Sequence, residues 1–244
     1  MYFTQGSLFF VLSKIGVRLR FFLCYTKTMR KVTFANEEYY HIYNRGVDKR
    51  DVFLDDNDYL RFLKNLREFN SNLLREERLR AQNATSSEFD SDSESNSDEA
   101  LVEIIAYCLN RNHYHLILKQ NSEKSIEKFM QKIGTGYTNY FNKKHERGGA
   151  LFQGKFKAIH INSNEYLLYL SAYVNRNNFI HAYNGNSKEW KYCSAPDYLG
   201  KRDGTLCNKN IILDQFKGME YEDFLDRNAE HLKEKKELAH YCLE

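Results

Sequence analysis

The chain has little that would staple or anchor it. Its five cysteines (Cys24, Cys108, Cys193, Cys207 and Cys242) are odd in number, widely spaced and without a C-x-x-C pair. That spacing argues against a disulfide framework and a cysteine zinc site, and fits a reducing, cytoplasmic setting. No apolar run reaches the roughly 20 residues that a membrane span needs, so no membrane partner is expected. The apolar stretches Leu8–Leu12 and Phe21–Cys24 are cut by Lys14, Arg18 and Arg20, and no clear cleavage site for a signal peptide follows them. A net charge of +3 is too small to name a partner. There is one proline, Pro196, which the sequence alone does not explain.

What is present describes a globular protein: 244 residues, 42% hydrophobic and 15% aromatic, enough for one large domain or two small ones with a real core. Residues 1–28 differ in texture from the rest and read as an N-terminal extension, with the functional chain opening at Met29. Residues 82–100, a Ser/Asp/Glu tract, hold too little apolar area to offset chain entropy and read as a disordered acidic insertion.

Between these segments the periodicity alternates. Tyr39–Asn44 reads as an aromatic-rich strand stopped by Gly46. Asp55–Asp58 offers N-caps for a helix running to about Arg80. Leu101–Leu109 reads as a buried strand, turned by Asn110-Arg111-Asn112 into the strand that opens at His113. Ser125–Lys144 carries an apolar helical stripe and a basic end, a candidate phosphate contact through Lys143, Lys144 and Arg147. Gly149–Lys155 matches G-x-x-x-x-G-K, but Phe156 stands where a phosphate loop needs Ser or Thr, so nucleotide binding is rejected. Lys155–Ile161 reads as another strand. Asn162 and Glu165 have capping-box spacing ahead of a helix over 166–178, and the C-terminal apolar clusters suggest one or two short helices. The class is α+β: an antiparallel sheet with helices on one side.

Two positions carry the chemistry. On a strand, His113 and His115 share one face about 7 Å apart, where two imidazoles can converge on one ion; alone, an His-x-His is more often two ordinary half-exposed residues. On the following helix, Tyr166, Tyr169, Tyr173 and Asn177 line one face, with Tyr173 and Asn177 one turn apart. Tyr137 and Tyr140 also lie near the motif in sequence, but they share the apolar stripe of the preceding helix.

His113-Tyr114-His115 resembles the histidine–hydrophobic–histidine motif of the HUH nucleases, and its surroundings resemble the single-tyrosine transposases, in particular the REP-associated tyrosine transposases. YHIYNRG (Tyr40–Gly46) is similar to that family's opening strand, NHYHLIL (Asn112–Leu118) to its metal strand, and YTNYFNKKHERGGALFQGKFK (Tyr137–Lys157) to its helix-to-strand segment. AYVNRNN (Ala172–Asn178) occupies the place of its nucleophile helix, and WKYCSAPDYLG (Trp190–Gly200) resembles its Trp/Ser/Tyr-rich segment. Asn178 departs from a frequent proline and Asn175-Arg176 from a more usual His-Leu.

The resemblance implies a ferredoxin-like or RNA-recognition-like fold, with a transposase domain over 29–185 and a C-terminal segment, 186–244, as a mostly helical candidate DNA-binding appendage. It implies that Tyr173 is the nucleophile, with Tyr137 and Tyr140 as lower-ranked rivals on the apolar stripe, and that His113, His115 and Asn177 hold Mg2+ or Mn2+. It also implies cleavage and rejoining of single-stranded, hairpin-forming DNA through a 5′-phosphotyrosine, by a monomer or a homodimer. Arg45, Lys155, Lys157 and Arg176 are candidate phosphate contacts. Two alternatives stay open: a domesticated protein that binds hairpin DNA without cutting it, and a nickase of replication or conjugation. An RNA-binding module is disfavoured, because histidines occupy the face where stacking aromatics would be wanted.

Overall fold

The computed structural model describes residues 32–70, 100–182, 188–216 and 220–241, with side chains through Lys236. The expected N-terminal extension and nearly all of the acidic insertion lie outside the described residues.

Strand β1 (Tyr39–Arg45) is followed by a short 3-10 turn and by helix α1 (Asp56–Glu68). Position 46, just past the strand, has room only for glycine: a Cβ there would lie 2.1 Å from the Arg50 carbonyl oxygen. Asp55 caps α1, its side chain accepting the Asp58 N–H at 3.1 Å. The helix ends at Glu68, and beyond it the Asn70 side chain exchanges two hydrogen bonds, 2.8 and 2.9 Å long, with the Val102 backbone; the rest of the span expected to run to Arg80 lies outside the described residues. Strands β2 (Val102–Asn110) and β3 (His113–Gln120) form the expected hairpin, joined through Arg111 and Asn112. Helix α2 (Ser125–Lys144) and strand β4 (Lys157–Ile161) complete a β-α-β-β-α-β unit.

The sheet is antiparallel with spatial order β2-β3-β1-β4. Read from the other edge this is 4-1-3-2, the split arrangement of ferredoxin-like folds. The expected class is found, with one correction: helices cover both faces. On one face, Tyr40, Ile42, Tyr114, Leu116 and Leu118 pack against Phe62 and Leu66 of α1 and Phe129, Ile133 and Tyr137 of α2. On the other, Ile105, Ala106, Cys108 and Ile117 meet Leu167, Leu170 and Val174 of helix α3 (Asn164–Asn175). The strands are apolar at both parities over these residues, so neither face can be left to water. Each fully buried Leu or Phe contributes roughly 1.5–3 kcal/mol.

Asp58 clamps α1 to the end of α2. It is buried and accepts from Lys144 Nζ (2.8 Å), His145 Nε2 (3.0 Å) and the Leu54 N–H (2.9 Å). Lys144 also bonds Asp55, so this cation, read from sequence as a phosphate contact, is spent on structure.

Short helices α4 (Asn177–Ile180), α5 (Ala195–Tyr198) and α6 (Asn210–Leu213) precede helix α7 (Glu220–Tyr241). The lone proline falls in the first turn of α5, where its missing N–H costs no helical bond. The segment ahead of α5 runs beside β2: Leu109 N–H bonds the Tyr192 carbonyl, Ser194 N–H bonds the Tyr107 carbonyl, and Trp190 Nε1 donates to the Leu109 carbonyl at 2.8 Å. An exposed sheet edge is thereby covered.

Candidate active site

The β1–β3 register sets the floor of the site. Tyr43 pairs with His115 and Arg45 with His113, while Asn110 of β2 pairs with His113 from the other side. These side chains share one face of the sheet, the face on which α3 lies. His113 and His115 stand with ring centroids 5.1 Å apart and planes at 90°.

Helix α3 begins at Ser163, whose side chain accepts the Tyr166 N–H at 3.1 Å, rather than at Asn162. It presents Leu167, Leu170 and Val174 to the core and leaves Tyr166, Tyr169 and Tyr173 partly exposed. Tyr173 meets His115 edge to face at 5.6 Å between centroids, His41 at 6.2 Å and His181 at 6.5 Å. The expected continuous helix over 166–178 is broken: Arg176 has φ −114° and ψ 15°, and the chain restarts as α4. Asn177 still reaches the imidazoles, its Oδ1 lying 3.2 Å from His113 Nε2.

The hydrogen-bond network fixes the tautomer of His113. The Asn112 amide donates Nδ2–H to the Lys49 carbonyl at 3.1 Å, which turns its Oδ1 toward His113 Nδ1 at 2.6 Å. An amide oxygen only accepts, so the ring proton sits on Nδ1 and Nε2 carries a lone pair. Asn110 Nδ2 donates to that lone pair at 3.0 Å and to Asn177 Oδ1 at 2.7 Å. Two acceptors, an imidazole nitrogen and an amide oxygen, therefore face each other at 3.2 Å. Asn177 Nδ2 is buried with no partner, so the whole orientation of this amide serves its oxygen.

Burial keeps the rings neutral. It lowers the His41 pKa to about 3 and those of His113 and His181 to about 4. His115 lies well below the ordinary histidine range, first through burial and then through the neighbouring imidazoles. Neutral imidazole is the ligand form. His113 Nε2, Asn177 Oδ1 and the His115 ring make a nitrogen-and-oxygen donor set that suits manganese and tolerates magnesium. Among the described residues no three His, Cys, Asp or Glu side chains gather as metal donors, because the third donor in this set is an amide.

Of the residues singled out in the sequence, His113, His115, Tyr173 and Asn177 come together. Arg45 is exposed beside them and bonds Gln153 at 2.8 Å; Lys157 holds its Nζ 5.9 Å from the Tyr43 ring centre; Lys155 is exposed just before β4. Arg176 does not join them, which is a correction. It is 4% exposed, bonded to Asp226 Oδ1 at 3.0 and 2.8 Å and to the Lys188 carbonyl at 2.7 Å, and so has no donor face to offer a phosphate. Asn175, its neighbour in the Asn175-Arg176 departure, bonds Tyr221 and Ser194. Both residues fasten the C-terminal segment to α3. Tyr137 is fully buried on the far face of the sheet, its hydroxyl donating to the Val52 carbonyl at 2.6 Å, which removes it as a rival nucleophile. Missed in the sequence were His41, Asn110, Asn112 and His181. Leu151 and Phe152 of the rejected phosphate loop are core residues.

Residues 72–177 match the family model described as Transposase IS200 like. That stretch is similar to the IS200-like transposases. The matched range takes in His113, His115, Tyr173 and Asn177. No curated protein matches the chain. Among solved structures, it is similar to a REP-associated tyrosine transposase bound to a REP hairpin, with 13% identity, a TM-score of 0.49, and coverage of 78% of this chain and 92% of that one. It is also similar to a tRNA(His) guanylyltransferase from Saccharomyces cerevisiae, at 10% identity and a TM-score of 0.33, over 82% and 78% of the two chains. Among the described residues, no helix is long and apolar enough to cross a membrane.

Proposed function

We propose that this protein is a transposase that cleaves and rejoins single-stranded DNA through a covalent bond to Tyr173. The observation that carries the reading is the meeting, on one sheet face, of the Tyr173 ring with His115 at 5.6 Å and of Asn177 Oδ1 with His113 Nε2 at 3.2 Å.

His113, His115 and Asn177 would hold a divalent cation, Mg2+ or Mn2+. When bound, it supplies Lewis-acid neutralisation of the charge that grows on the scissile phosphate. Tyr173 Oη forms a bond to phosphorus while the bond to the 3′ oxygen breaks. The products are a 5′-phosphotyrosine and a free 3′-hydroxyl, so the phenol proton is balanced by the one the leaving oxygen gains. Because one phosphate ester replaces another, rejoining is the reverse step and needs no nucleotide. Arg45, Lys155 and Lys157 would contact backbone phosphates, and the partly exposed Tyr43 ring would give a base a surface to stack on. Hairpin-forming repeats are the expected substrate. Residues 29–185 form the catalytic unit in this reading, and residues 186–244 support α3 from behind.

Incubation with a library of hairpin-bearing single-stranded DNA and Mn2+ tests the reading. A protein–DNA adduct that survives denaturation and disappears in Tyr173→Phe supports it. Tight hairpin binding with no adduct in the wild type would instead favour a domesticated DNA-binding protein.

A further inference from the structure

We infer that His41 is a positioning residue for the metal centre, accepting the Nδ1 proton of His115 and so leaving the His115 Nε2 lone pair open to a cation. The inference rests on the metal-site reading above. His41 Nε2 lies 2.8 Å from His115 Nδ1, both rings are buried, and their planes differ by 19° with centroids 5.0 Å apart. That separation is the one set by a nitrogen-to-nitrogen bond lying in the ring planes, and one proton sits between the two atoms.

Only two arrangements share that proton. If His41 Nε2–H donates, the proton of His115 must sit on Nε2, and that nitrogen cannot bind a metal. If His115 Nδ1–H donates, Nε2 is a bare lone pair. A cation selects the second arrangement, and an acceptor at position 41 pre-pays for it. His113 already shows the same logic, with Asn112 Oδ1 behind its Nδ1 at 2.6 Å. Each ligand ring of β3 thus has its own acceptor: one from the hairpin turn, the other from β1. Partners behind ligating imidazoles of this kind typically govern about 10- to 100-fold in metal affinity.

The test is calorimetric titration of the full chain with Mn2+, using wild type, His113→Ala, His41→Phe and His41→Gln. Wild type should bind one ion and His113→Ala none. His41→Phe, which keeps a ring but accepts nothing, should bind about 10- to 100-fold more weakly. His41→Gln, whose Oε1 can take the same proton, should recover most of that loss, which a merely space-filling role would not produce. Nitrogen-15 NMR of the wild type with Mg2+ gives a second readout, since the His115 proton should sit on Nδ1. Wild-type affinity in His41→Phe, or a His115 proton on Nε2 in the Mg2+ form, overturns the inference while leaving the metal site standing. Failure of the wild type to bind Mn2+, or binding by His113→Ala equal to wild type, overturns the metal site and the inference together. If His41→Phe does not fold, the glutamine variant and the NMR measurement decide.

Discussion

The side-chain amide of Asn110 donates to Oδ1 of Asn177 across 2.7 Å, and both residues are wholly buried. That bond prevents the Asn177 amide from flipping, since a flipped amide would set two N–H donors against each other. Asn110→Leu frees the rotation and leaves a buried acceptor unsatisfied. We expect it to weaken Mn2+ binding by about 10- to 100-fold and to cost about 1–3 kcal/mol in stability. Calorimetric titration and urea unfolding measure the two effects separately. Unchanged affinity in a destabilised variant would show that the amide orientation does not matter to the ion.

Tyrosines are abundant in this chain, so the choice of nucleophile needs a contrast. Tyr173→Phe should remove the covalent DNA adduct while leaving hairpin affinity nearly unchanged. Tyr137→Phe loses the bond to the Val52 carbonyl and should cost about 1–2 kcal/mol, with the adduct retained. Adduct formed by Tyr173→Phe would move the nucleophile elsewhere.

Basic residues near the site divide by what already holds them. Arg176 is buried while its partner Asp226 is partly exposed and also paired with Lys188, so Arg176→Ala loses the charge-assisted bonds without stranding a buried charge and should cost about 1.5–3 kcal/mol. Arg45→Ala and Lys157→Ala should instead leave stability within about 0.5 kcal/mol, weaken DNA binding, and each reduce the salt slope of affinity by about 1. Fluorescence anisotropy against salt concentration reads the slope. A slope unaltered in both would take these side chains off the phosphate path.

The contrast between Arg176 and Lys157 also marks where sequence reasoning reaches its end. A strand's period of two places His113 with His115, and a helix's period of 3.6 places Tyr173 near Asn177, because both rules act over a few residues. Arg176 looked like any basic residue, for its partner Asp226 is fifty positions away and belongs to another helix. His41 read as one member of an aromatic strand; only the long-range register between β1 and β3 sets it behind His115. Asn110 and Asn112 carried an obvious turn signal, and that signal hid their second use. The break at Arg176 has no glycine or proline to announce it, and it coincides with an ion pair that no local pattern contains.

Acid should destabilise the chain well before its carboxylates titrate. An unfolded histidine takes up a proton near pH 6.5. In the folded chain burial holds His41 down to about 3 and His113 and His181 to about 4, with His115 also well below its usual range. Between roughly pH 6.5 and 4, the unfolded state therefore binds protons that the folded state refuses, and stability falls as pH falls. Each such ring removes up to about 1.4 kcal/mol per pH unit within its window and contributes no slope above about pH 7.5. The lowered carboxyl groups of Asp55 and Asp56 act in the same direction but only at lower pH, through their partners Lys144 and Lys191. Urea unfolding of the metal-free chain from pH 8 to 5 should show a flat upper limb and a steep loss below about 6.5, shallower in His41→Gln by one ring's share. A flat profile down to pH 5 would mean that the imidazoles accept protons inside the fold, and the neutral-ligand description of the site would fall with it.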